Sequence, residues 1–187
     1  MSQFSSSRGR VAGLCVGALL SLAIVTPTFA STVPATVTGG SRTASISDVT
    51  LGGATSSHSN QNVAGTLALV VDDSMGTGSG WNITVLSSAL AYTAGGNGGS
   101  PIPAANMVLG SLAAPVMTAG MAVAGANGPI LVGTGGNLGA AIKVNSALAG
   151  YGMGTYTQNL PLTLTIPADV RAGTYVATLT VTIVSGP

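Results

Sequence analysis

Hydrophobic and small polar residues alternate along most of the chain with a period of two. The pattern is clearest near the C-terminus, where Thr and Val occupy the alternate positions. Strand side chains point in turn to opposite faces, and Thr and Val favour strands. We therefore predict one C-terminal strand whose inward face carries Tyr175, Ala177, Leu179, Val181 and Ile183.

Three earlier segments show the same alternation. A strand at 160–166 is followed by a turn at Pro167-Ala168-Asp169, so we expect it to form a hairpin-like unit with the last strand. A second pair of strands is predicted on either side of a turn-rich segment, 72–80. Their inward faces carry Leu67, Leu69 and Val71 before the turn and Trp81, Ile83 and Val85 after it.

The centre of the chain, 94–139, is rich in Gly, Pro, Ala and Asn, which predicts loops joining short strands. Its uncharged stretch 104–126 is long enough to cross a bilayer, but Gly, Pro and Asn interrupt it, which favours buried strands with their loop. No helical spacing of apolar residues is sustained after the first thirty residues. We predict an all-β fold, a β-sandwich of short and mostly antiparallel strands, with a β-barrel as the alternative.

The N-terminus has the pattern of a secretory signal. Arg8 and Arg10 precede an apolar run, 11–25, and Thr28-Phe29-Ala30 ends in a small residue suited to cleavage. We predict a signal peptide over 1–30, a flexible segment over 31–43 and a β domain over 44–187, without a transmembrane anchor after cleavage. Cys15 is the only cysteine, so cleavage would leave a chain without disulfides or thiolate chemistry.

Charge is scarce in the predicted mature chain. Three basic residues face four aspartates, which gives a net charge of −1, and there is no glutamate. Three basic side chains cannot neutralise a phosphate backbone. We therefore expect no nucleic-acid partner. The basic residues are Arg42, Lys143 and Arg171, and the acidic ones are Asp48, Asp72, Asp73 and Asp169.

The residues that catalysis or metal binding would need are also few. His58 is the sole histidine and lies in a polar segment that reads as a solvated loop, and no nucleophile motif is present. Asp72 and Asp73 could offer oxygen ligands to Ca²⁺, although a turn that caps its own amides is favoured. We therefore expect no enzymatic activity, no cofactor and no metal site beyond this weak candidate.

Two motifs resemble the WxL family of bacterial cell-surface proteins. Trp81-Asn82-Ile83 has the W-x-L shape with Ile for Leu, after a Gly-rich turn. The C-terminus reproduces the spacing Y-x-x-x-L-x-W-x-L-x-x-x-P that closes WxL domains, with Val181 in place of the second Trp. Met75 also stands where many relatives have Arg. The residues that match this spacing are Tyr175, Leu179, Val181, Ile183 and Pro187.

The resemblance implies a secreted protein of the cell surface that associates non-covalently with peptidoglycan or another cell-wall glycan. Trp81, Ile83 and Tyr175 are the predicted ligand-binding residues, because an aromatic face can stack on a sugar ring. Packing of Trp81 in the core is the competing interpretation. The alternative function is a structural or assembly subunit without glycan binding, whose partners are other surface proteins or copies of itself.

Overall fold

Open antiparallel sheets pack face to face around one core. The computed structural model describes residues 34–131 and 135–186. Its strands are β1 (Arg42–Ile46), β2 (Gln61–Asp73), β3 (Trp81–Ser87), β4 (Ala91–Gly95), β5 (Met107–Leu109), β6 (Val116–Gly120), β7 (Ile130–Leu131), β8 (Gly136–Asn137), β9 (Ile142–Ala147), β10 (Gly154–Ile166), β11 (Gly173–Val176) and β12 (Leu179–Ser185). Two short 3-10 helices lie at Ala104–Asn106 and Gly125–Asn127.

The first sheet has the order β1-β2-β10-β5-β8, and β6 pairs with β10 as well. The second sheet has the order β12-β3-β9-β7, and β11 forms a two-stranded sheet with β4. Neither main sheet closes on itself within the described residues. This confirms the predicted all-β class and is consistent with the predicted sandwich.

The predicted inward faces are confirmed. In β3 and in β2 from Leu67 onward every second residue is buried, including Leu67, Leu69 and Val71 on one sheet and Trp81, Ile83 and Val85 on the other. Two buried amides also join the sheets, since Asn145 Nδ2 on β9 donates to Gln158 Oε1 on β10 at 2.9 Å. A hydrogen bond of this kind inside the core favours one alignment of the sheets, because a slip would leave the buried Asn145 amide unpaired.

Pro161 lies inside β10, where a missing amide hydrogen normally weakens pairing. Its carbonyl oxygen accepts a hydrogen bond from the Gly110 amide at 2.8 Å. The nitrogen and oxygen of one strand residue point to the same side, so the nitrogen of Pro161 also faces away from β2. On that side Pro161 lies between the part of β10 that pairs with β6 and the part that pairs with β5. The N–H that proline lacks is therefore not required for either pairing.

The predicted strand pairs are wrong. β10 pairs with β2, β5 and β6 and not with the last strand, and β2 and β3 lie in different sheets. The predicted C-terminal strand is two strands, because the chain leaves β4 after Val176 and joins β3 at Leu179. Alternation determines which face of a strand is buried, but it contains no information about the neighbouring strand.

The N-terminal predictions fall only partly within the described residues. The predicted signal peptide, with Cys15, lies outside them, and so does Pro187 of the C-terminal motif. Residues 34–41 form no strand, and β1 begins at Arg42, two residues before the predicted start of the domain. The stretch 104–126 contains two strands, as predicted, but only β5 is buried on one face, whereas all of β6 is exposed. None of the helices in the described chain combines the length and apolarity that a membrane span requires.

Candidate functional site

A groove opens on one side of the sandwich, between the edges of the two main sheets. β1 is the edge of the first sheet and β12 is the edge of the second, and each has one strand neighbour in the described part of the chain. The two edges lie close together where the Arg42 guanidinium meets Ser185. Away from that contact a cavity lies between them, and residues of both edge strands line it.

The groove has a volume of about 1000 Å³. One wall is β1 with the segment that follows it, Ser47–Ser57, and the other is 170–181, with β11 and the start of β12. Its floor is apolar and belongs to the core of the protein. The residues of the floor include Leu90, Ile102, Met107, Leu162 and Leu164.

The wall residues of the C-terminal segment are half-buried and face the groove. Tyr175, Ala177, Leu179 and Val181 all line it, and they belong to the inward row that the alternation predicts. Across the groove stand Ala44 and Ile46 of β1, followed by Val49 and Leu51. The groove therefore offers apolar side chains from both walls to an occupant that lies between them.

The edges also offer backbone hydrogen-bonding groups. Every second residue of an edge strand directs its N–H and C=O away from the sheet, and these groups can pair with an added strand. β1 uses one side for β2 and β12 uses one side for β3. In the described chain the other side of each strand has no strand partner, and residues of both strands line the groove, so apolar contacts and strand pairing are offered close together.

A buried ion pair closes the other end of the groove. Arg42 Nη2 donates to Asp73 Oδ2 at 2.9 Å, and the side chains of Arg42 and Asp73 are only 5% and 1% exposed. The same guanidinium also donates to the hydroxyls of Ser79 and Ser185. Arg42 thus ties the start of β1 to the loop before β3 and to the end of β12, which holds the two sheets together there.

Two tyrosines stand at the groove's outer rim. The rings of Tyr92 and Tyr175 meet edge to face, with centroids 5.3 Å apart. The Tyr175 hydroxyl donates to the carbonyl of Arg171 at 2.9 Å, which fixes the ring against the wall. Of the three predicted ligand-binding residues, Tyr175 is the one that borders open space.

Trp81 and Ile83 are fully buried, so the core interpretation of Trp81 is the one the structure supports. The indole N–H of Trp81 donates to the carbonyl of Gly152 at 3.0 Å, and its ring packs near Tyr156. A Cβ at Gly152 would lie 2.7 Å from the indole nitrogen, so only glycine permits this approach. Neither the ring face nor the N–H of Trp81 is available to a glycan.

The two halves of the family-like motif lie on neighbouring strands. Ile83 stands opposite Ile183 and Val85 opposite Val181 in the pairing of β3 with β12. Val181 therefore occupies a half-buried position facing inward, as the core interpretation of that position predicts. The motif residues of β3 and β12 thus pack against each other, and Leu179 and Val181 also line the groove. Tyr175 lies apart from them on β11, so the motif does not form one exposed aromatic surface.

Asp72 and Asp73 do not form a joint cation site. Both belong to β2 and not to the turn after it, so their side chains point to opposite faces. Asp73 is bound by Arg42, and Asp72 Oδ1 accepts a hydrogen bond from the Thr155 hydroxyl at 2.7 Å. In the described residues no three acidic, histidine or cysteine side chains gather as metal ligands.

His58 lies in a loop and its side chain is 98% exposed, as predicted for a solvated histidine. Its Nδ1 contacts Asp169 Oδ1, while the hydroxyls of the nearby Ser57 and Ser59 bond to each other. In this loop no serine hydroxyl is bonded to the imidazole, so the contact lacks the nucleophile of a catalytic triad.

Tyr156 is a titratable side chain whose pKa is shifted. Its burial is the main cause that raises the pKa of the hydroxyl, and the nearby negative charge of Asp73 is the second. The hydroxyl donates to the Met121 carbonyl.

Sequence reasoning missed the groove and the ion pair. Arg42 was expected in a flexible segment, and the wall segment 47–57 carries no strand pattern that continues from β1. One signal was present: Ala44 and Ile46 alternate with Thr43 and Ser45, which marks a strand around Arg42.

Comparisons of the chain with protein-family models, with curated proteins and with solved structures gave no match. The resemblance to the WxL family therefore stays a prediction that rests on the motif residues alone.

Proposed function

We propose that the protein is an exported cell-surface assembly module that holds an extended polypeptide segment in the groove between its two sheets. The observation that carries the proposal is the open groove itself, which has an apolar floor and an unpaired strand edge on each side. An added strand would bury alternate apolar side chains on the floor and pair its backbone with an edge. The proposal assigns the chain no catalytic role.

The charges of the groove support a neutral occupant. Asp48 and Arg171 are the two charged residues that line it, and their charges are opposite. A strongly charged segment would gain little from these walls and would lose hydration on the apolar floor. A segment in which Val or Ala alternates with Thr or Ser fits both the floor and the polar rim.

A bulky side chain introduced into the groove is expected to weaken the binding of such a segment. The probe is a short peptide of alternating Thr and Val with a Lys at each end, and its binding to the mature chain is measured by calorimetry. In the variant Ala177→Phe the new ring occupies the groove, so the dissociation constant should rise at least about tenfold, which corresponds to ~1.4 kcal/mol.

The matched control is Thr180→Phe, which places the same ring on the exposed face of β12 and should leave binding unchanged. A second control is the peptide with Ser in place of each Val, which should bind weakly because it has no apolar side chains for the floor. Equal binding by both phenylalanine variants, or no binding by the parent chain, would refute the proposed function.

Association with peptidoglycan is the second candidate, and the half-buried tyrosine pair beside the groove favours it. Tyr92 and Tyr175 present aromatic surface at the rim of the groove, where a sugar ring could stack. The buried Trp81 contributes nothing to such a surface in this fold.

If the tyrosine pair binds the wall, the mature chain should sediment with washed Gram-positive cell walls and with peptidoglycan stripped of teichoic acid. Tyr175→Ala should then reduce the bound fraction several-fold, whereas Tyr151→Ala serves as a control on a tyrosine outside the groove lining. If Tyr175→Ala binds the wall as well as the parent chain does, the tyrosine pair is not the wall-binding surface.

A further inference from the structure

We propose that the occupant of the groove is the N-terminal segment, residues 31–38, of a second copy of this chain. This inference rests on the proposed function and names its partner. The segment has the required pattern, because Val33, Ala35 and Val37 alternate with Thr and Pro, and it contains no charged residue. Fully extended it would span roughly 26 Å, at about 3.3 Å per residue.

The exposure of Val37 is the second observation. Its side chain is 94% exposed, whereas the next most exposed large apolar residue, Val116, is 61% exposed. Residues 34–41 are outside any strand, and all of them are exposed to solvent. An apolar residue in an alternating segment with unpaired backbone gains both burial and hydrogen bonds when it is added to a sheet edge.

The attachment point of the segment explains why the partner is another molecule. Gly40 donates its amide to the Ser74 carbonyl at 2.8 Å, and Gly39 approaches Met75 so closely that a Cβ would lie 2.2 Å from its carbonyl oxygen. These contacts hold the segment next to Asp73, at the end that the Arg42 ion pair closes. Val37 and Thr38 come directly before these contacts, and neither of them lines the groove of its own molecule.

The arrangement has two consequences for the assembly. Each copy offers one segment and one groove, so the contact is head-to-tail and adds copies in an open series unless a ring closes. Pro34 has no amide hydrogen, so the added strand is expected to have one gap in its hydrogen-bond ladder.

Cysteine crosslinking tests the inference, since the predicted mature chain, 31–187, has no cysteine of its own. Val37→Cys and Val181→Cys are made as separate variants, mixed and oxidised. We expect a mixed disulfide dimer that forms at least tenfold faster than in a mixture of Thr38→Cys with Val181→Cys. In that control the cysteine lies on the opposite side of the extended segment. The double variant Val37→Cys/Val181→Cys should give a ladder of dimers, trimers and longer species.

Two other crosslinking results would contradict the inference. Equal rates for the two mixtures would show that the segment does not enter the groove in register. Crosslinked monomers alone in the double variant would show that each copy fills its own groove. If either result is found while the Thr-Val peptide still binds and Ala177→Phe still weakens that binding, the proposed function stands and only the identity of the occupant fails.

Discussion

Replacing Trp81 with Ala is expected to lower the free energy of unfolding by about 3–5 kcal/mol, the range found when a fully buried aromatic side chain is removed. The indole ring is completely buried between the two sheets, and the substitution would leave a cavity there as well as an unpaired Gly152 carbonyl. Urea unfolding followed by far-UV circular dichroism measures the loss, because the variant has no tryptophan fluorescence.

Two further variants separate the contributions at this position. Trp81→Phe keeps an aromatic ring in the core but removes the N–H and part of the ring, so we expect a smaller loss of about 1–3 kcal/mol from the unpaired carbonyl and the smaller cavity. Leu86→Ala changes the exposed face of the same strand and should cost about 1 kcal/mol or less. A cost of under 1 kcal/mol for Trp81→Ala would contradict the core position and return Trp81 to the list of candidate ligand contacts.

Breaking the Arg42 ion pair is the second change with a large expected effect. Arg42→Met should lower the free energy of unfolding by about 3–5 kcal/mol, because it leaves the buried Asp73 carboxylate without its cation. The loss should be visible as a lower urea midpoint with an unchanged slope.

A double variant shows whether the cost comes from the unpaired charge. The double variant Arg42→Met/Asp73→Asn has no charge at the site. We therefore expect this double variant to be more stable than the single variant Arg42→Met. Arg171→Met removes an exposed arginine and should change stability by no more than about 0.5 kcal/mol. If Arg42→Met behaves like Arg171→Met, the ion pair does not hold the two sheet edges together.

The alternation of side chains predicted the faces of the strands because burial has a local signature. Leu67, Trp81 and Leu160 all follow a period of two, and all are buried. The partners of the strands were not predictable in this way, since β2 and β10 are separated by eighty residues that hold most of the other strands. The break at Ala177 and Thr178 was also hidden, because the alternation continues through it while the chain changes sheets.

The candidate site was less accessible to sequence reasoning than the fold. Tyr175 was identified from a motif and does border the groove, but the two walls of the groove are more than a hundred residues apart in the chain, at 44–57 and 170–181, so no single segment encodes it. Arg42 was placed in a flexible segment because its neighbours are Ser, Thr and Gly. Its partner Asp73 lies thirty-one positions along the chain, and only the pairing of β1 with β2 brings the two together.

Amide hydrogen exchange tests the central proposal most directly, namely that the groove accepts an extended strand along its edges. The chain from residue 31 to residue 187 is measured by mass spectrometry with and without the Thr-Val peptide, at a concentration where light scattering shows a monomer. We predict slower exchange confined to the two groove walls, β1 with residues 47–57 and 170–181 with the rest of β12. Unchanged exchange in both walls at saturating peptide, or protection that falls on β7 and β8 instead, would contradict the proposal.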